Sequence, residues 1–204
     1  YFQLALDSKG HLWITGKENS LQSYDPVSEE ITSYSYPRLY QQSPEVTEIT
    51  RITVDRADRV WLGSTNGIIL FEPENKSFSS FPYRAGAPSN DIVNGLQVDR
   101  LGDIWAATEY SGVLKYTPQT LFESFVFEKD NDRSITGGWV SRIIEDDRGN
   151  VWLFSSNASQ TRGISRFNPK TKLFDRFFTH DYGIEAGLTG IFQNSNDEFY
   201  IGTY

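Results

Sequence analysis

The chain has 204 residues, 15% of them aromatic, no cysteine and a formal net charge of −8. Without cysteine there is no disulfide framework and no thiolate metal site, and the acidic balance argues against nucleic acid and anionic membrane surfaces as partners. No apolar run reaches the roughly 18 residues of a membrane-spanning helix.

Read from its start, the chain opens inside a short apolar run, Leu4 to Leu6. It turns at Asp7-Ser8-Lys9-Gly10 into Leu12-Trp13-Ile14-Thr15, passes Tyr24-Asp25-Pro26, and closes on Ile31 to Tyr34. After the linker Ser35 to Glu48 the order returns: Ile52 to Val54, Asp55 to Asp58, Val60-Trp61, Gly67, Ile68 to Phe71, Glu72-Pro73, Phe78 to Phe81. A third copy runs through Leu96 to Val98, Asp99 to Gly102, Ile104-Trp105, Gly112, Val113 to Tyr116, Thr117-Pro118 and Phe122 to Phe125. A fourth has Arg142 to Ile144, Asp146 to Gly149, Val151-Trp152, Gly163, Ile164 to Phe167, Asn168-Pro169 and Phe174 to Phe177. A fifth keeps only Asn194 to Asp197 and Phe199-Tyr200. The repeated aromatic recurs after 48, 44, 47 and 48 residues, from Trp13 to Tyr200.

A fixed period in this range means one supersecondary unit used repeatedly. Each run is short, rich in β-branched and aromatic residues, and bounded by Gly, Pro, Asn or Asp, as strands joined by tight turns are. Four antiparallel strands per unit make a propeller blade. The predicted fold is therefore all-β: a β-propeller fragment of four complete blades, at residues 1–36, 49–82, 93–127 and 140–178, and half of a fifth at 188–204. The Asp-x-x-Gly segment is expected to be a hairpin turn whose Asp bonds backbone amides two or three residues on. Its Gly takes a positive φ, a conformation Asp58 and Asp197 tolerate in the other copies. Trp13, Trp61, Trp105 and Trp152 recur at every blade and are expected to pack between blades.

The repeat resembles the two-component regulator propeller repeat, with Arg51 to Pro73 and Ile143 to Pro169 carrying the pattern most fully, and the resemblance extends over the whole chain. It implies a periplasmic sensor region of a bacterial membrane receptor. There, further blades, a downstream Ig-like domain, a transmembrane helix and an intracellular output domain would accompany this segment. The chain is expected to be a piece of such a protein. The stretch Asp181 to Leu188 resembles the last blade before the Ig-like domain.

The search for chemistry gives little. His11 lies at a turn position filled by Arg59, Asp103, Asn150 and Glu198 in the other copies, and is expected to face solvent. Neighbouring carboxylates such as Asp146-Asp147 sit in turns rather than across a cleft. Asp130-Asn131-Asp132 lacks the Gly and closing Glu of an EF-hand loop. No catalytic residue, metal ligand or cofactor is expected. Binding has a firmer basis, because propellers present linkers from several blades on a rigid scaffold. Trp139, in Thr136-Gly137-Gly138-Trp139, is the tryptophan outside the repeat position, and flanking glycines let a ligand approach its ring. Trp139, Tyr110, Arg142 and His180 are the candidate ligand-binding residues, suited to sugar faces and acidic groups. Packing of Trp139 into the wall is the structural alternative for that residue. For function, an oligosaccharide-sensing module leads. A protein-assembly platform follows, then a streptogramin-lyase-like propeller enzyme, for which two histidines are scant. Leu4, Leu6 and Trp13 at one end, and Phe192, Phe199 and Ile201 at the other, are expected to leave apolar faces that drive self-association.

Overall fold

The computed structural model describes residues 2–16, 20–36, 48–65, 67–81, 91–117, 120–156, 162–184, 188–194 and 198–203; of residues 120–122 and 188–191 it describes the backbone alone. Asp197, the linker residues Arg38 and Tyr40, and most of the loop from Asn157 lie outside them.

The first repeat forms β1 (Leu4–Leu6), β2 (Leu12–Thr15), β3 (Ser20–Tyr24) and β4 (Ile31–Ser35). The second forms β5 (Ile49–Val54), β6 (Val60–Ser64), β7 (Gly67–Glu72) and β8 (Ser77–Phe81). The third has β9 (Val93–Val98), β10 (Ile104–Thr108), β11 (Val113–Thr117) and β12 (Thr120–Phe125), and the fourth β13 (Trp139–Glu145), β14 (Val151–Ser156), β15 (Arg162–Asn168) and β16 (Leu173–Phe178). A 3₁₀ turn, Thr179–Tyr182, leads towards β17 (Leu188–Gln193) and β18 (Phe199–Thr203). Each of the four complete repeats is one four-stranded sheet in chain order, and the fifth is a two-stranded sheet. The all-β prediction of four complete units and a half-unit holds. By compactness the chain divides into two units, Tyr1–Val98 and Asp99–Tyr204.

In the first unit the core is built on Trp13, Leu21, Val60, Leu62, Ile69 and Phe71. In the second it is built on Trp105, Val113, Val140, Val151, Leu153, Phe167 and Phe174. Burial is most complete in the middle strands: β6 and β10 are buried at every residue, whereas β5 is only half-buried along its length. A middle strand is flanked on both edges and covered on both faces.

One device recurs at the Asp turn. Asp55 Oδ1 accepts the amides of Ala57 and Arg59 at 2.9 and 3.0 Å, and Oδ2 accepts the indole N–H of Trp61 at 2.8 Å. Asp7, Asp99 and Asp146 hold Trp13, Trp105 and Trp152 in the same way, at 3.1, 2.8 and 2.8 Å. The amides bonded are therefore two and four residues on, not two or three. Gly10, Gly102 and Gly149 take φ of 82–86°, and Asp58 replaces them at φ 56°. A side chain four residues after the Asp also joins the turn: Arg59 Nε to Asp55 at 2.7 Å and Asn150 Nδ2 to Asp146 at 2.8 Å. His11 does the same, its Nδ1 lying 3.0 Å from Asp7, so it is half-buried and engaged rather than a free solvent-facing residue. In the third repeat this position is Asp103, which cannot donate; Lys115 pairs with it instead at 2.8 Å, over the Trp105 ring.

The turns are also clasped to one another. The amide and hydroxyl of Ser8 donate to Asp58 at 2.8 and 2.7 Å, the amide of Arg100 to Glu145 at 3.0 Å, and that of Asp147 to the side-chain oxygen of Gln193 at 2.9 Å.

Three expectations about burial change. Trp13 is 3% exposed, covered by Tyr34 and Phe71, and so is not part of an open end face. Trp152 is only half-buried, because its cover is Phe177 and Phe199, the latter from the two-stranded unit. Tyr36, assigned to the linker, is buried against Phe78.

Candidate binding site

Trp139 sits at the end of a strap, Glu128 to Gly138, fastened to the fourth sheet. Asn131 and Ser134 fold the strap on itself: the amide of Arg133 donates to Asn131 Oδ1 at 3.0 Å, and the amide of Glu128 to Ser134 Oγ at 2.9 Å. Arg176 of β16 donates to the carbonyls of Ser134 at 2.8 Å, Ile135 at 2.9 Å and Glu128 at 3.1 Å, and to the Ser134 hydroxyl. Thr136 inserts into a buried hydroxyl cluster. Its amide reaches Ser165 Oγ at 2.9 Å, and its Oγ1 lies 2.6 Å from Ser155 Oγ and 3.2 Å from Ser165 Oγ. Ile135 beside it is buried in the core. At Gly137 any Cβ would collide with the Ser156 backbone, so this glycine is required by close approach of two chains. Gly138, by contrast, faces open space.

After this mount Trp139 begins β13 with 52% of its surface exposed. A bulge between Val140 and Arg142 slips the register by one residue. An extra residue breaks strict alternation, so Trp139, Ser141 and Arg142 are all exposed while Val140 and Ile143 are buried. Trp139 and Arg142 therefore share one strand and its exposed side. The pairing then runs Trp139↔Ser156↔Arg162 across β13, β14 and β15. At strand spacing this sets Arg162 about 10 Å from Trp139 along the same end of the sheet. Thr179 Oγ1 donates to the Arg162 carbonyl at 3.3 Å, which brings the 3₁₀ turn to this end as well. His180 lies there, exposed, packed on Phe178 and 3.1 Å from Asp181. Tyr110, exposed, occupies the turn between β10 and β11, held by Thr108 Oγ1, which donates to the Gly112 carbonyl and accepts the Ser111 amide, both at 3.0 Å.

Sequence reading missed Arg162 and Ser156, which only strand pairing places in line with Trp139. The chemistry available is an exposed indole face, guanidinium donors and hydroxyls, suited to stacking and hydrogen bonding. Among the described residues no three His, Asp or Glu side chains converge as a metal site would require.

No family model matches the chain. A histidine kinase P4 of Formosa agariphila is 26% identical over 165 residues, covering 76% of this chain and 11% of that protein, so the chain spans about a tenth of this relative's length. Among solved structures, PorZ of Porphyromonas gingivalis, a surface component of the type IX secretion system, matches with a TM-score of 0.71 at 19% identity over 98% of this chain and 30% of that one. The extracellular domain of a hybrid two-component system of B. thetaiotaomicron matches with a TM-score of 0.52 at 17% identity, over 99% of this chain and 32% of that one. The chain has a β-propeller fold, and in its repeat and in these matches it resembles the propeller regions of two-component regulators.

Proposed function

We propose that this chain is an extracytoplasmic, periplasmic propeller module of a bacterial signalling receptor. It binds a saccharide on Trp139, with Arg142 beside it and Tyr110 and His180 as outlying contacts. The observation that carries the reading is the exposure of Trp139 on a strap tied down by Arg176 and the Thr136–Ser155–Ser165 cluster. The other four tryptophans bond an Asp through their indole N–H. A half-exposed tryptophan on a rigid mount presents an apolar face whose ordering cost is already met by the fold. The likeness to a histidine kinase and to the extracellular domain of a two-component system supports a sensing role over turnover. Further blades and an Ig-like domain are the intramolecular partners this reading calls for.

The test is calorimetric titration of the intact chain with a panel of neutral oligosaccharides. Saturable binding that Trp139→Ala abolishes, with the thermal midpoint lowered by no more than about 4 °C, supports the reading. A panel in which no member binds, or binding indifferent to Trp139, overturns it. Hydrolysis of glycoside, ester or lactone substrates would overturn its non-enzymatic part.

A second reading, an assembly platform, is favoured by one observation: Leu4 and Leu6 of β1 are 60% and 65% exposed, and Phe192 and Tyr200 of the two-stranded unit are exposed as well. Self-association through these faces is the form it takes for the chain alone.

A further inference from the structure

A concavity of the 99–204 unit, about 500 Å³, lies on the outer strand β16 and the strap, and Trp139 is not part of its lining. Its lining includes three guanidiniums, those of Arg133, Arg166 and Arg176, and the carboxylates of Asp132 and Asp175, with Phe177 as an apolar wall. Strand register sets Arg166 opposite Asp175, and its Nη2 donates to Oδ2 at 2.7 Å. The strap brings up Arg133, whose carbonyl accepts the Phe174 amide at 3.0 Å and whose Nη1 donates to Asp175 Oδ1 at 2.8 Å. One carboxylate thus spends one oxygen on each of two guanidiniums. Each guanidinium has five N–H donors, so both keep directions that Asp175 does not occupy.

Arg176 differs. Its donors go to neutral carbonyls and one hydroxyl, and none to a carboxylate. Burial lowers its pKa, and Asp132 only partly offsets this from a distance. A charge partly desolvated without a counter-ion in contact is stabilised by an incoming anion. The groove also concentrates cations in a chain whose net charge is −8, so it runs against the general field of the molecule.

We propose that this groove is a binding site for a carboxylate-bearing organic anion, held by the N–H groups of Arg133 and Arg166 that Asp175 leaves open and by the charge of Arg176. The fork of a guanidinium matches a planar carboxylate, and Phe177 gives the body of such a ligand an apolar surface. The site is separate from Trp139 and does not depend on the saccharide reading.

The experiment is titration at low salt, in a Trp139→Ala background that removes the saccharide site and in the parent chain, with digalacturonate and, in parallel, with its methyl ester. Digalacturonate binds one to one and weakens as salt is raised. The ester, and the variants Arg133→Gln and Arg166→Gln with the acid, bind about tenfold or more weakly, as loss of a charge-assisted hydrogen bond requires. Both arginines are substantially exposed, and unchanged thermal midpoints show that the variants remain folded. Trp139→Ala leaves this affinity unchanged, which separates the groove from the Trp139 site. Acid and ester binding alike, both arginine variants binding like the parent, inorganic sulfate competing as well as the carboxylate, or no binding at roughly millimolar digalacturonate would each overturn the proposal.

Discussion

Replacing Asp55 by Ala probes the device on which each blade is built. Asp55 accepts four hydrogen bonds, and they are not equal. The Arg59 guanidinium is partly exposed and recovers its bond from water, so its loss counts for little. The amides of Ala57 and Arg59 lie in a half-buried turn still closed by the Asp58 amide to the Asp55 carbonyl, and lose about 0.5–1 kcal/mol each. The indole N–H of Trp61, on a side chain 0% exposed, loses its bond to the Asp55 carboxylate, at a cost of about 1–3 kcal/mol. The sum is about 3 kcal/mol. At a urea dependence of about 2 kcal/mol/M it moves the midpoint down by about 1.5 M. Asp55→Asn keeps one acceptor oxygen but aims its NH₂ at two donors, and falls between the parent and Ala. In a Trp61→Phe background, where no indole N–H exists, the cost of Asp55→Ala drops by about 1–3 kcal/mol. A midpoint shift below about 0.3 M, or the same cost in both backgrounds, refutes the claim that the Asp–Trp bond holds the turn.

Trp61→Ala and Trp105→Ala each destabilise by roughly 3–5 kcal/mol, the half-buried Trp152→Ala by less, and Trp139→Ala by about 1 kcal/mol or less, as denaturant midpoints will show. Burial pushes the Tyr36 hydroxyl up to about 12, so folding favours its protonated form. Its stabilising contribution is intact below pH 10 and is lost as pH rises towards 12, a slope that Tyr36→Phe removes from alkaline unfolding curves. The carboxyls of Asp7 and Asp146 are raised by burial but more than compensated by their hydrogen bonds, foremost those from the His11 amide and the Trp152 indole, and end below the ordinary value of 3.8. The stability they confer is present above that value and lost as pH falls below it, and acid unfolding of Asp146→Asn loses its share of this slope. Sedimentation velocity detects concentration-dependent association that Leu4→Lys and Leu6→Lys suppress; a monomer at all concentrations contradicts the apolar-face argument.

The sheet architecture was legible because the repeat writes each turn and strand several times, so accidental residues average out while Asp7, Asp55, Asp99 and Asp146 persist. The indole bond was also present as a spacing: Trp13 pairs with Ala5, which puts Asp7 two residues further along and within reach of the indole. It was missed because a hairpin Asp already has a sufficient local role. Trp139 stood out as a tryptophan off the repeat, but Arg162 and Ser156 enter its row only through pairing across β14 and β15. The Arg133–Arg166–Arg176 groove was not legible at all. It joins a strap, a third strand and a fourth strand, and no sequence separation links them until Arg166 faces Asp175. Burial at the ends was misjudged for Trp13 because aromatic cover from Tyr34 and Phe71 depends on how two sheets meet.

The five indole N–H groups separate the fold's tryptophans from the binding one in a single spectrum. In a ¹H–¹⁵N correlation experiment, with Trp139 assigned by Trp139→Phe, a bound oligosaccharide shifts the Trp139 indole signal and leaves the four Asp-bonded signals in place. Saturation with ligand while Trp139 is unmoved, or a shift confined to the Asp-bonded tryptophans, contradicts the assignment of Trp139 as the ligand platform.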